Sequence, residues 1–417
     1  MRWHRFFSSL PKLLQVGLLP NGLTRAAQYH NAHRPPACFR LLGITEECIQ
    51  DEDDFTPAYR TAETVLYLVV LRGFCQRTNG GDMKRLMAGV SAMGLLGVSA
   101  LAVGIPPTMD QESFNTTLHE ISNWGRWGDD DELGTLNTIT PSVRAQAAAL
   151  VKEGTTISLA LPLNKIADPI NQKPFEHEVF IFGGDESFDM DPEEIPQAAG
   201  DVFKIDYHGF GHSHMDALPH FAYGGKMYNG FPFEMNAEDG FSKLGVENIA
   251  KVGVFTRGVL VDMPRFLGID FLEPGSAITT SDLEAWEKAS GVRVRAGDAL
   301  LVRTGRWRKV AKDGQWNFIQ EAAGMHASVA RWLKERDVAV IGCDGVSDVM
   351  PSGVTGRFNP LHELVLIGLG MPIFDNLDLD LLAEKASATG RATFLFVAAP
   401  LRVRGATGSP LNPLAVF

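Results

Sequence analysis

The chain has 417 residues and a formal net charge of −12, from 50 acidic and 38 basic side chains. This balance argues against a nucleic-acid surface, which would carry clustered lysine and arginine. Hydrophobic residues make up 45% of the sequence, which is enough for a sizeable buried core.

The first predicted element lies within the N-terminal hundred residues. Met83-Lys-Arg is followed by an uncharged, mostly apolar stretch from Leu86 to Thr108. A basic start, an apolar stretch and small residues near Ala100-Leu-Ala resemble a secretory signal peptide. We therefore interpret residues 1–82 as a non-native upstream extension or a disordered segment, and residues 83–107 as a signal peptide that begins at Met83. The mature protein would then be periplasmic or secreted.

Two other interpretations of this stretch stay open. A genuine N-terminal extension could precede a membrane anchor, because about 20 apolar residues suffice to span a bilayer. An uncleaved segment would leave the protein anchored in the membrane. The stretch could also be a buried core helix, although such helices rarely lack all charge over this length.

From residue 110 onward, predicted strands alternate with predicted helices. Strands are predicted at 156–162, 179–183, 202–207, 258–262, 299–303, 338–342 and, as the last strand, 394–398. Helices are predicted at 141–148 after Thr140 as N-cap, at 280–290, at 326–335, and as a buried helix at 361–369. Ser281 and Glu284 have the spacing of a capping box, and 124–137 reads as a turn-rich loop. This order predicts one α/β domain over residues 110–417.

Four histidines and one aspartate occur within thirteen residues: His208, His212, His214, Asp216 and His220. A single histidine is more often a surface or core residue, but this density favours metal ligation. No C-x-x-C pair exists, so a metal would be held by imidazole and carboxylate, which suit zinc, manganese or ferrous iron. In an extended segment His212, His214 and Asp216 alternate, so that their side chains can share one face.

The proline at position 219 argues against a helix that runs through both Asp216 and His220. His220 is therefore expected near the ligands but on another element. A metal at this site would lower the pKa of its bound water towards neutrality. A histidine that does not bind the metal could shuttle protons, and His220 is the candidate for that role.

The segment His214-Met-Asp-Ala-Leu-Pro-His220 resembles the second half of a family hallmark, His-x-Gly-Thr-His-x-Asp-x-Pro-x-His. The family is that of the cyclase-like metal-dependent hydrolases, which includes bacterial kynurenine formamidases and isatin hydrolases. Segments 124–128, 297–305, 361–363 and 407–413 are similar to a longer subgroup of the same family. The resemblance implies a single α/β domain with mixed β-sheets flanked by helices, of the swivelling β/β/α type.

The resemblance also implies roles for individual residues. His214 and Asp216 would be metal ligands, with Asp216 able to bridge two ions, and His220 would donate and accept the proton. His362 and Asp375 would supply a second metal position. Aspartate is one methylene shorter than the usual glutamate there, which leaves occupancy of a second site open.

The first histidine of the hallmark has no direct counterpart, because Phe210 stands in its place. The longer subgroup places that histidine two residues earlier, at His208, which we prefer as the ligand. His212 would then be either a substitute ligand or a hydrogen-bonding neighbour of a ligand. Three residues just past His220 are predicted to form a substrate wall: Tyr223, Tyr228 and Asn229.

Residues that follow two of the predicted strands are weaker candidates. Asp344 and Ser347 could line the pocket, orient a ligand histidine, or simply form a turn. Cys343 is expected to be a small buried side chain rather than a nucleophile. Arg306 could meet a substrate carboxylate or lie on the surface.

Three functional hypotheses follow. The leading one is a hydrolase that uses zinc or manganese and metal-bound hydroxide to open an amide, lactam or lactone, with His220 as general acid/base and an arylformamidase-like action on C–N bonds. The second is an iron-dependent, oxygen-activating enzyme, and the third is an exported metal-binding or solute-binding protein without turnover. We expect a small-molecule substrate, no nucleic acid and a homo-oligomer.

Overall fold

The structure is a computed structural model that describes residues 103–183, 191, 194, 197–236 and 238–417. The predicted upstream extension and most of the predicted signal peptide lie outside these residues. Gly104 forms a β-bridge with Ala277, and Met109 forms one with Val354. The chain is therefore attached to the domain from its first described residues. Within the described part, no helix is both long and apolar enough to cross a bilayer.

Fifteen strands and nine α-helices are described. The strands are β1 Thr156–Ser158, β2 Glu176–Gly183, β3 Gln197–Lys204, β4 His214–Asp216, β5 Met235–Asn236, β6 Gly240–Phe241, β7 Val254–Asp262, β8 Ala277–Ile278, β9 Ala299–Arg303, β10 Gly324–Met325, β11 Val340–Cys343, β12 Ile373–Asp375, β13 Thr393–Ala398, β14 Gly408–Pro410 and β15 Leu414–Val416. The helices are α1 Gln111–Glu120, α2 Pro141–Ala148, α3 Val246–Val252, α4 Met263–Leu267, α5 Thr280–Ser290, α6 Arg306–Asp313, α7 Val329–Arg336, α8 Pro360–His362 and α9 Asp380–Thr389.

Nine strands form one mixed sheet in the order β1-β15-β13-β7-β9-β11-β12-β4-β14. Its centre, from β7 to β12, is parallel, and the strands on either side are antiparallel. Parallel neighbours require crossover connections, which here contain helices α4 to α8. Both faces of the centre are covered: Leu300 and Val302 of β9 pack into one core cluster, and Ala299 and Leu301 pack into the other.

The remaining strands form three two-stranded sheets. The largest is the antiparallel hairpin β2–β3, which pairs Glu176 with Lys204 at its base. Large apolar side chains are exposed along this hairpin: Val179, Phe180, Ile181, Phe182, Val202 and Phe203. The strand predicted at 179–183 is confirmed within β2, and the one predicted at 202–207 is strand only as far as Lys204 in β3. Both lie in this hairpin and outside the main sheet.

The predicted helices at 141–148 and 280–290 are confirmed with their boundaries. The Thr140 hydroxyl accepts the N–H of Val143 at 3.3 Å, as expected of an N-cap. The predicted capping box is wrong by two residues, because Asp282 Oδ2 accepts the N–H of Thr279 at 2.8 Å. Since α5 begins at Thr280, Ser281 already lies inside its first turn and cannot cap it.

Other boundaries differ from the predicted ones. The predicted helix at 326–335 begins at Val329, and the buried helix continues α8 as a π-helix over Glu363–Leu369. Strand 156–162 shortens to β1. The prediction that 394–398 is the last strand is wrong, because β14 and β15 follow; both are three residues long and lack the alternation that marks a strand in sequence. The predicted fold class, a mixed sheet flanked by helices, is confirmed.

Candidate metal centre

The candidate site is built on strand β4, which lies between β12 and β14 in the main sheet. His214 and Asp216 occupy alternate positions and so share one face, while Met215 packs into the core behind the sheet. Strand β12 runs antiparallel beside it and places Asp375 opposite His214. The register of two short strands thus brings three buried ligand-type side chains together.

The Asp216 carboxylate is the centre of the site, and four histidine rings approach it. Its Oδ1 lies 2.9 Å from Nδ1 of His208 and 3.3 Å from Nε2 of His214. Its Oδ2 lies 3.7 Å from Nε2 of His220 and 3.5 Å from Nε2 of His362. Burial alone would raise the pKa of Asp216, but the four histidines, His220 foremost, hold it well below its usual range. The carboxylate is therefore ionised at neutral pH.

His208 and His220 reach Asp216 from loops on either side of β4. Their rings stack with centroids 3.9 Å apart and planes within 6°. β4 ends at Asp216, and a short 3₁₀ turn, Leu218–His220, follows. This agrees with the expectation that no helix runs through Asp216 and His220. Burial lowers the pKa of His220 to about 4, although the Asp216 carboxylate opposes that shift, so the ring is a neutral imidazole near pH 7.

His362 enters the site from helix α8 and is held by a carboxylate on its far side. Its Nδ1 lies 2.6 Å from Asp348 Oδ2, and its Nε2 lies 3.1 Å from Asp375 Oδ2. Asp348 also accepts the backbone N–H of Leu361 at 2.7 Å, which caps the start of the helix. Ser347 donates its hydroxyl to Asp375 Oδ1 at 2.9 Å. The orientations of the His362 ring and of the Asp375 carboxylate are therefore both set by neighbouring side chains.

The donor atoms fit a divalent metal. His208, Asp216 and His220 can each offer one atom, all within 4.8 Å of one another, and so can His214, Asp216 and Asp375. The buried Nδ1 of His208 and Oδ1 of Asp216 lie 2.9 Å apart, yet neither has a well-formed hydrogen bond. Converging lone pairs of imidazole and carboxylate are what zinc and manganese require. Asp216 belongs to both groups, as expected for a bridging ligand.

His212 lies outside both of these groups. Its ring is buried and neither ring nitrogen has a partner, but its backbone carbonyl accepts the Nδ1–H of His214 at 2.9 Å. That bond turns Nε2 of His214 towards Asp216. The expected alternation fails at His212 because strand β4 begins only at His214. The His212 ring and His208 instead line a cavity of about 230 Å³.

The three residues predicted to form a substrate wall make contacts elsewhere. Tyr228 is fully buried and its hydroxyl donates to Asp131 Oδ2 at 3.0 Å. Asn229 donates its side-chain amide to the carbonyl of Gly128 at 2.9 Å. Tyr223 is partly exposed and donates to an asparagine of α1. The contacts of Tyr228 and Asn229 hold the 124–131 loop, and that of Tyr223 is with α1. A substrate role for these three residues remains a prediction.

Two of the weaker candidates have structural roles. Asp344 does not touch the histidines; it accepts the N–H groups of Thr304 at 2.8 Å and Gly305 at 2.7 Å, just before α6. The orienting role considered for it belongs to Asp348, four residues later. Cys343 is buried as predicted, and burial raises the pKa of its thiol well above the ordinary value, which disfavours the nucleophilic thiolate.

Three residues near the site were missed by sequence reasoning. They are Asp348, Asn376 and Thr407, whose hydroxyl lies 2.9 Å from Nε2 of His208. The sequence signal for Asn376 was its place directly after Asp375, at the end of a predicted ligand segment. The alternative that Arg306 lies on the surface is wrong, because its guanidinium is buried against Asn376 and the Phe210 carbonyl. Its meeting a substrate carboxylate stays a prediction.

The fold and the site define an α/β protein with a histidine–carboxylate centre at one edge of its parallel core. A family model described as Cyclase, putative cyclase, matches residues 157–348. A solved structure described as a novel cyclase is 33% identical, covers 71% of this chain and 100% of that chain, and superposes with a TM-score of 0.63. The chain therefore belongs to the cyclase family, as its sequence resemblance implied.

More distant likenesses were also found. An isatin hydrolase bound to the product analogue thioisatinate is 21% identical over 65% of this chain and 94% of that chain, with a TM-score of 0.42. Isatin hydrolase A from Ralstonia solanacearum is 22% identical over 67% of this chain and 98% of that chain, with a TM-score of 0.43. These two likenesses are too distant to inform the site. No match was found among curated proteins.

Proposed function

We propose that the protein is a metal-dependent hydrolase that opens an amide, lactam or lactone at its carbonyl group. Family membership supports an enzyme of this kind. The observation that carries the proposal is the convergence of four imidazoles on the ionised carboxylate of Asp216, with Asp375 beside it. The buried Nδ1 of His208 and Oδ1 of Asp216 lie 2.9 Å apart without a well-formed hydrogen bond, which is costly, and a bound cation offsets that cost.

In this proposal each residue has a defined task. His208, His214, Asp216, His362 and Asp375 would hold one or two divalent ions, zinc or manganese. Such an ion lowers the pKa of the water it binds and polarises a substrate carbonyl. His220 would accept a proton from the attacking water and return it to the leaving group. Its neutral ring and its position 3.7 Å from Asp216 support that task.

Action on C–N bonds, in the manner of an arylformamidase, is the finer part of the proposal. Its basis is the sequence resemblance to kynurenine formamidases, and lactones would offer the same carbonyl chemistry with an oxygen leaving group. Export through a signal peptide that starts at Met83, and assembly as a homo-oligomer, are likewise proposals from sequence. N-terminal sequencing of the natural protein should find a mature end downstream of residue 83.

The test is an assay panel of N-formylkynurenine, isatin and simple lactones, run on metal-loaded protein with and without a chelator. We expect turnover of at least one compound, loss of turnover with the chelator, and recovery on addition of zinc or manganese. Chelator-insensitive turnover would remove the metal from the mechanism. Turnover that requires oxygen and iron would favour the oxygen-activating alternative. Bound metal without any turnover would favour a binding protein.

A further inference from the structure

The loop that carries His208 is held by two buried side chains that belong to neither metal group. Asn376 donates its side-chain amide to the carbonyls of Gly209, at 2.7 Å, and His212, at 3.0 Å. Arg306 donates from Nη2 to the carbonyl of Phe210 at 2.6 Å. The guanidinium also donates from Nη1 to Asn376 Oδ1 at 2.6 Å. We name this pair the Arg306–Asn376 clamp.

Asn376 is itself fixed in place by the sheet. It follows Asp375 directly and has a φ of 55°, a left-handed conformation that asparagine tolerates better than most residues. Its backbone N–H donates to Gly345 at 2.7 Å, and its carbonyl accepts the Ser213 hydroxyl at 2.6 Å. The side chain is fully buried. The side-chain amide of Asn376 is therefore fixed so that it donates towards the loop that carries His208.

Arg306 is equally constrained. Its backbone lies in the turn that Asp344 holds at the start of α6, and its guanidinium lies 3.6 Å from the centroid of the Phe318 ring. Burial lowers the pKa of Arg306 to about 9, which shows how unfavourable this environment is for the charge. A buried guanidinium is stabilised only where oxygen acceptors surround it. Here the acceptors are the Phe210 carbonyl, Asn376 Oδ1 and, at 3.5 Å, the Asp344 carbonyl.

Two residues of the loop are glycine, and the clamp adds to the contacts that Tyr207 and His208 make with Gly408 and Thr407. Gly209 has a φ of 137°, which few other residues adopt. The clamp binds backbone carbonyl groups at both ends of the segment 209–212. On one side it holds the residue next to His208. On the other it holds the His212 carbonyl, which orients the ring of His214.

We propose that the Arg306–Asn376 clamp is a positioning device for the metal centre, resting on the metal-dependent function proposed above. It fixes the loop so that His208 presents Nδ1, and His214 presents Nε2, to the point where Asp216 Oδ1 lies. Neither clamp residue is placed to coordinate the ion. Metal ligation tolerates errors of only about 0.2 Å in ligand distances, so the loop must be rigid before the ion binds.

The test uses two clamp variants and one matched control in the full-length protein. Asn376→Gly keeps the left-handed backbone and removes the amide. Arg306→Lys keeps the charge but replaces the planar fork, whose two nitrogens reach Phe210 and Asn376 separately, by a single ammonium group. Arg303→Lys is the control, because Arg303 is a buried arginine of the same region that pairs instead with Asp262 and Asp380. The probes are Zn²⁺, for the dissociation constant, and Co²⁺, for the visible absorption spectrum of the bound ion.

We expect each clamp variant to bind Zn²⁺ about 10–100-fold more weakly than the natural protein, with an altered Co²⁺ spectrum. The control should lose thermal stability in the metal-free state but keep the affinity and the spectrum. The clamp proposal is overturned if either clamp variant folds and binds both ions like the natural protein. It is also overturned if affinity falls in the control as much as in the clamp variants. A natural protein that binds neither ion overturns both this proposal and the proposed function.

Discussion

Apart from His362 on helix α8, the candidate metal centre draws its side chains from two kinds of backbone. His214, Asp216 and Asp375 lie on paired strands of the main sheet, whereas His208 and His220 lie on loops. The side chains of His214 and Asp216 are 2% and 1% exposed, but those of His208 and His220 are 25% and 26% exposed. Strand register sets the backbone positions of the buried members, and hydrogen bonds from neighbouring groups orient the side chains of His214 and Asp375. The partly exposed members, His208 and His220, depend on local contacts and are accessible to solvent.

This difference separates two ways of building one site. A strand residue keeps its position as long as the ladder of backbone hydrogen bonds is intact. A loop residue needs its own restraints, such as the clamp at 209–212 or the 3₁₀ turn at 218–220. Substitution of a site residue on a strand should therefore abolish metal binding, whereas substitution of a site residue on a loop should weaken or modify the site by degrees.

The largest effect is expected from Asp216→Asn. The change keeps the shape of the side chain but removes the charge that both candidate metal groups share. Loss of this ligand should weaken metal binding by more than the roughly 10–100-fold that outer partners of a metal site contribute. Metal content after dialysis, measured by elemental analysis, is the readout. Met215→Leu, on the opposite face of the same strand, is the control and should keep its metal; equal metal content in both variants would contradict the shared role of Asp216.

The second largest effect is expected from the substitution of a loop residue. His220→Ala should lower the turnover rate by roughly 10²–10⁴-fold, the range that general acid–base groups contribute, while metal content stays close to that of the natural protein. Steady-state kinetics on any active compound of the panel, with metal analysis of the same sample, gives both quantities. Loss of the metal together with the rate would instead make His220 a ligand, as its grouping with His208 and Asp216 permits.

A smaller effect is expected from Asp348→Asn. Asp348 contacts His362 at Nδ1, the ring nitrogen that faces away from Asp216 and Asp375. The amide still accepts a hydrogen bond but no longer offers a charged partner 2.6 Å from Nδ1. We expect metal affinity to fall by about 10-fold, with a change in thermal stability that adding metal partly restores. Unchanged affinity would mean that His362 is held by helix α8 alone.

The smallest effect is expected from Tyr228→Phe, far from the loops that carry the ligands. Removing one buried hydrogen bond to Asp131 should lower the free energy of unfolding by about 1 kcal/mol. Denaturant titration measures this loss, and KM for the panel compounds should be unchanged. A raised KM with unchanged stability would restore the predicted substrate-binding role of Tyr228.

The part of the candidate site that lies in one short segment could be predicted from the sequence, and the structure brings those residues together. His214, Asp216 and His220 could be identified because they stand within seven residues, and the central strands were found because their apolar runs are continuous. The preference for His208 over His212 depends on where β4 begins, which local pattern does not determine. Asn376 and Arg306 could not be assigned, because their partners lie 70 to 167 residues away along the chain. Asp348 could not be assigned, because local pattern does not show that the chain turns back to bring His362, 14 residues later, against it.

The same long-range pairing has a consequence for the order of folding. Ser213, beside the first strand of the site, donates to the carbonyl of Asn376, 163 residues further along the chain. Contacts between such distant residues require closure of a long loop and tend to form late. β4 has no partner in the main sheet until β12 and β14 are in place. We therefore expect metal ions to bind after the main sheet has assembled. They would then stabilise the folded state rather than initiate folding.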